Sequence, residues 1–172
     1  MIVEIRIDGV PAPQGSKTPW GSEANRRTRP WRATVAAAGA DAMGERGLLD
    51  GPLSLEAAFV FARPKSHFGT GKNSNLLKRN APTLMTSPPD VDKLLRAICD
   101  ALQGIVYRSD AQVALATGRK LYGRRAYCSI FVRELPQPLP VDVPSRFERI
   151  LEACGGDEEQ AHNVEMATRG TA

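Results

Sequence analysis

The chain has 172 residues, 42% of them hydrophobic and 24% charged, with a formal net charge of +4, which suits one domain with its own core. No apolar run is long enough to span a bilayer and no signal-peptide pattern precedes the first residues, so the expected location is cytoplasmic. The charge is uneven: residues 1–133 hold 20 Lys+Arg against 11 Asp+Glu, while residues 134–172 hold 3 against 8, a basic body with an acidic tail that points to a polyanionic partner.

In chain order, residues 1–8 alternate apolar and polar and predict a strand. A Pro- and Gly-rich loop carrying Lys17 follows, and behind it come Arg26, Arg27, Arg29 and Arg32. These cations suit a polyanionic partner, or else form an ordinary solvated loop. Trp20 lies in the same loop, and Trp31 opens an Ala-rich stretch that predicts a helix over residues 31–46, close to a sheet. Residues 53–63 predict a second strand. Residues 64–89 form a long connection carrying Lys65, Lys72, Lys78 and Arg79 and no acid. Connections of this length are commonly functional or disordered; the expectation is a clamping loop for that polyanion, ordering on binding.

The stretch from Ser87 to Gln112 carries the chemistry. Pro88 and Pro89 block helix upstream, and Asp90 stands where a helix N-cap belongs. Val91, Leu94, Leu95, Ile98, Ala101 and Leu102 recur at helical spacing, and Gly104 suits the C′ position. Asp92, Arg96 and Asp100 are four apart and share another face. Singly, these acids read as a cap, a dipole partner and an ion-pair ladder. Asp110, after a short turn and just before a strand, alters the reading. A strand running back past the helix mouth could bring it to Asp90 and Asp92, an all-oxygen set suited to Mg²⁺ or Mn²⁺.

Beyond Asp110, residues 113–122 predict a strand, with Gly118 marking a bulge or bend. Residues 126–133 predict its hairpin partner. Arg119, Lys120, Arg124, Arg125 and Arg133 make this a basic hairpin beside the acids. Residues 135–144 are Pro-rich, residues 145–153 could form a short helix, and the rest is polar. The expected domains are residues 1–134 and a linker with acidic tail over 135–172. Cys99, Cys128 and Cys154, with His67 and His162, make no zinc pattern.

The run P-P-D-V-D-K-L-L-R-A-I-C-D-A-L-Q-G…S-D-A-Q resembles the signature of the RusA-type Holliday junction resolvases. It departs at Lys93, where Asn is usual, at Arg96, where Lys is usual, and at Ser109, where a first Asp is usual. The resemblance implies a Mg²⁺-dependent endodeoxyribonuclease, homodimeric and often phage-borne, that cuts four-way DNA junctions in recombination and repair. It assigns Asp90, Asp92 and Asp110 to metal binding and catalysis, and Arg96 to a catalytic cation. Lys93, Arg119 and Lys120 join the loop cations as expected DNA contacts. The expected fold is α/β (α+β): a mixed sheet of about four strands packed on two main helices. Two other readings remain open: a metal nuclease for branched DNA in general, and a DNA-binding module that has lost catalysis.

Overall fold

The computed structural model describes residues 1–15 and 26–137. Lys17, Trp20 and the helix expected over 145–153 lie outside them. All elements below belong to one unit, Met1–Leu135. Four strands form a mixed sheet in the order β1-β4-β2-β3. They are β1 (Ile2–Asp8), β2 (Leu53–Ala62), β3 (Val113–Gly123) and β4 (Tyr127–Glu134). Strand β4 runs antiparallel to both β1 and β2, and β3 lies parallel to β2.

Alternation sets one inner face: Val3, Ile5 and Ile7 of β1, Cys128, Ile130 and Val132 of β4, and Leu55, Ala57, Phe59 and Phe61 of β2 are all buried. Strand β2 also buries Ser54 and Val60 on its other face, as suits a strand paired on both edges. This overturns the expected β3–β4 hairpin. The connection between β3 and β4 crosses the end of β2, with Arg63 N–H donating to Gly123 O at 3.0 Å. Period-2 patterning fixes which face a residue takes but not which strand lies beside it.

Two helices cover the inner face, α1 (Thr28–Met43) and α2 (Val91–Leu102). Helix α1 starts and stops about a turn earlier than its apolar pattern suggests. Buried Thr28 donates Oγ1–H to Pro13 O at 2.7 Å, and Pro30 falls in the first turn, where its missing N–H costs nothing. Gly44, at φ +56°, ends the helix. Helix α1 packs on β1, as expected, and also approaches α2 closely. A Cβ on Gly39 would lie 2.8 Å from Leu102 Cδ2.

Helix α2 buries Leu94, Ala97, Ile98, Ala101 and Leu102, and Gly104, at φ +76°, terminates it. Below its end, Tyr107 is fully buried and donates its hydroxyl to Cys99 O at 3.0 Å. Burial pushes that hydroxyl far above its usual pKa, so it stays a donor. Val91 and Leu95 rest on β3 at Gly118, where a Cβ would come within 2.7 Å of Val91 Cγ2. Gly118 is thus a contact point in regular register with Ala57, and not a bulge; the irregularity of this pair lies between Leu53 and Ser54.

The connection 64–89 is folded in the free chain, contrary to the expectation that it orders on binding. Lys78 N–H bonds to His67 O and Gly69 N–H to Leu76 O, both at 2.9 Å. Further on, Tyr122 N–H donates to Thr83 O at 2.9 Å and Met85 N–H to Lys120 O at 3.0 Å. Residues 83–85 thereby lie along the open edge of β3 as a strap leading to the cis Pro88-Pro89 bond and Asp90.

Candidate active site

Asp90 occupies the N-cap position of α2 with extended backbone, and its carbonyl accepts from Leu94 N–H at 3.2 Å. Its carboxylate makes no cap bond. Instead Oδ2 accepts from Lys93 Nζ at 2.5 Å, in an exposed pair one turn apart. The Lys93 hydrogen bond and charge hold the Asp90 carboxyl below its usual pKa, and Lys120 adds to the effect. The same contact raises the Lys93 ammonium. Asp90 is therefore an ionised acid at neutral pH. Its pairing favours the fold above the ordinary Asp pKa and loses that effect as pH falls through the lowered value.

Strand β3 does run back past the mouth of α2, but the group it delivers there is Lys120. The Lys120 ammonium donates to Ser87 O and to Pro89 O, both at 2.7 Å, and Tyr122 Oη lies 3.3 Å from Ser87 Oγ. One half-buried lysine thus bolts the last turn of the strap to the sheet and fixes where Asp90 starts. Sequence patterning missed this role because nothing in a lone strand lysine marks an internal partner.

Asp110 sits at the other end of β3, in a short 3₁₀ turn, Asp110–Gln112. Burial raises Cys99 and Tyr107, and the charges of Asp100 and Asp110 add to it, so Asp110 lies near the second half of α2. Ser109 and Gln112 build a capping box around this turn. Ser109 Oγ accepts from Ala111 N–H at 3.3 Å. Gln112 Oε1 accepts from Arg108 N–H at 2.9 Å and Ser109 N–H at 3.1 Å. Its Nε2 donates to Leu49 O at 3.3 Å and Gly51 O at 3.1 Å. Ser109, a departure from the signature, keeps a capping side chain, and Gln112 ties Asp110 to the segment that leads into β2.

Asp92 and Arg96 are exposed on α2. The ion-pair ladder is absent among the described residues: Asp100 meets Arg32 of α1, with Nη1 and Oδ2 3.8 Å apart, and no ion pair joins Arg96 to Asp92 or Asp100. Among the described residues, no three of His, Cys, Asp or Glu form a group that could hold a metal ion. Carboxylate oxygens are the right donors for Mg²⁺ or Mn²⁺, yet Asp90 already carries an ammonium. The residues as placed in the free chain do not fit a ready metal cage.

The cations form two sets. Arg26, Arg27 and Arg29 are exposed at the start of α1, and Lys65, Lys72 and Arg79 are exposed on the 64–89 connection. Lys78 gives its ammonium to Ser66 O at 2.8 Å, so it joins Lys93 and Lys120 in holding the chain itself. Arg119 follows Gly118 and points to the sheet face away from α2.

A single α+β domain that sets exposed aspartates among cations suits a protein that acts on nucleic acid. The family model for endodeoxyribonuclease RusA matches residues 10–133, and the chain belongs to that family of endodeoxyribonucleases. It is also 26% identical over 88 residues to the uncharacterized protein YqaN of Bacillus subtilis (strain 168). That match covers 51% of this chain and 61% of YqaN, so the chain spans less than two thirds of that relative. No helix among the described residues is long and apolar enough to cross a membrane.

Proposed function

We propose that the protein is an endodeoxyribonuclease that resolves four-way DNA junctions by phosphodiester hydrolysis, in recombination and repair. The observation that carries this reading is Asp90: an exposed, ionised acid, held at a helix mouth by the Lys120 clamp, inside a chain of the RusA family. Asp90, Asp92 and Asp110 are its proposed catalytic acids; they are not assembled in the free chain and would bind a metal ion only if DNA draws them together. Arg96, one helical turn from Asp92, offsets charge that builds on the phosphate. Arg26, Arg27, Arg29, Lys65, Lys72 and Arg79 hold the DNA backbone, with Lys17 and Arg119 as further contacts. A homodimer would set two such sites against opposing strands. Residues 1–134 form the nuclease domain and 135–172 an acidic tail, in a cytoplasmic protein of bacterial or phage origin.

A phosphodiester resists hydrolysis because its charge repels the nucleophile, so the chain's own task is to place cations around it and fix the acids. Mg²⁺ or Mn²⁺, if held by these acids, would supply charge neutralisation and an activated water. Cleavage of four-way, three-way and linear duplexes is compared with Mg²⁺, with Mn²⁺ and with neither. Preferential cutting of the four-way substrate, dependent on the ion, supports the proposal; equal cutting of the four-way and three-way substrates with the linear duplex spared makes the protein a general branched-DNA nuclease. The Lys93–Asp90 pair and the unassembled acids favour a second reading, a DNA-binding module with impaired catalysis. Tight junction binding without cleavage under either ion would establish it.

A further inference from the structure

We propose that the cleft beside Asp90 holds one unstacked nucleobase, adjacent to the phosphodiester that is cut. The inference rests on the junction-nuclease reading and adds to it a base-recognition site. The cleft has a volume of about 750 Å³, within the range of small-ligand sites. Its walls are apolar and come from three parts of the chain: Val10 after β1, Phe61 at the end of β2, and Met85 and Pro89 of the strap. Arg27, Asp90 and Lys93 also line it.

This mixture selects the occupant. A phosphate could meet Arg27 or Lys93, but it would leave the apolar walls against a charged group, and Lys93 is already paired with Asp90. A base can enter, because its flat faces are apolar and its edge carries hydrogen-bonding groups. Its flanking phosphates then stay near the two cationic side chains, and the adjoining backbone falls beside the acid. Val10 is 45% exposed, so apolar surface is kept open next to a charged group, where solvation alone would favour a polar side chain. Unstacking a base costs a few kcal/mol and least where pairing is already interrupted, as at a strand crossover. A site that must first capture a base would discriminate among junction sequences by the shape and edge of that base.

The test uses the full chain, without divalent ion so that no cutting occurs, and synthetic four-way junctions carrying 2-aminopurine at successive positions around the crossover. Binding is followed by anisotropy, and unstacking by 2-aminopurine emission. The expected result is a several-fold rise in emission at one position beside the crossover. Val10→Phe, which fills the cleft from an exposed position, should remove the rise while leaving junction affinity nearly unchanged. Met85→Phe is the second variant and should act in the same way. Binding with no rise at any position, or a rise that persists in both folded variants, overturns the base site alone. Failure of the wild-type chain to bind junctions overturns the parent reading and this one together.

Discussion

Replacing Lys120 by Met tests whether the approach to the acidic site is held by a buried-side clamp. Met keeps most of the aliphatic stem and removes the ammonium, so the packing of Lys120 against the inner face is little changed. Two charge-assisted bonds are lost, to Ser87 O and Pro89 O at 2.7 Å each. Bonds to charged groups contribute about 1.5–3 kcal/mol apiece, but Ser87 is exposed and its carbonyl regains water. Pro89 is half-buried and regains less. The net loss is therefore about 1–3 kcal/mol, well short of the full sum. With a urea slope of about 2 kcal/mol/M, the midpoint falls by about 0.5–1.5 M at unchanged slope. Because Lys120 also helps to hold Asp90 ionised, the acid limb of the cleavage profile should move to higher pH in the variant. Lys120→Arg retains the charge and should keep that limb in place. An unchanged urea midpoint together with an unmoved acid limb would refute the clamp.

Gln112→Ala removes an amide that serves two N–H donors and two carbonyls. It should cost about 1–3 kcal/mol in urea unfolding and lower cleavage through Asp110 while sparing junction affinity. Gly118→Val would drive a side chain into Val91 and Leu95. The expected loss is about 1–3 kcal/mol from overpacking, with a fall in activity, since the same contact seats the start of α2. Cys128 is buried and its thiol is pushed up to about 12. At pH 8 its peptide should therefore stay unlabelled by iodoacetamide in the native protein and label on denaturation, as peptide mass spectrometry would show. Rapid native labelling would contradict the packing of β4.

Much of the fold was legible because one apolar face per element leaves a clear period. Helix α2 shows it best: the run from Val91 to Leu102 predicts both its length and its buried side, and Gly104 its end. Strand order was not legible, since residues 123–126 can join neighbours or step across β2 equally well. The start of α1 was hidden because Thr28 belongs to the helix through a bond to Pro13, a residue far upstream, and not through any periodic pattern. At the site, the sequence places Asp90 and Asp92 at the cap and first turn of one helix, because they are neighbours in the chain. Asp110 depends on where a strand begins, and the structure puts it beside the later turns of α2. Lys120, counted as a DNA contact from charge alone, proves to be occupied by two carbonyls. Charge marks a residue as reactive toward anions but does not reveal an internal partner.

The most direct measurement compares wild type and Asp90→Asn on a synthetic mobile four-way junction, scoring Mg²⁺-dependent cleavage and junction affinity in parallel. Asn keeps the size of the side chain and removes the charge that Lys93 and Lys120 act upon. The account predicts that cleavage is abolished while affinity is retained. An Asp90→Asn variant that cuts like wild type would contradict it.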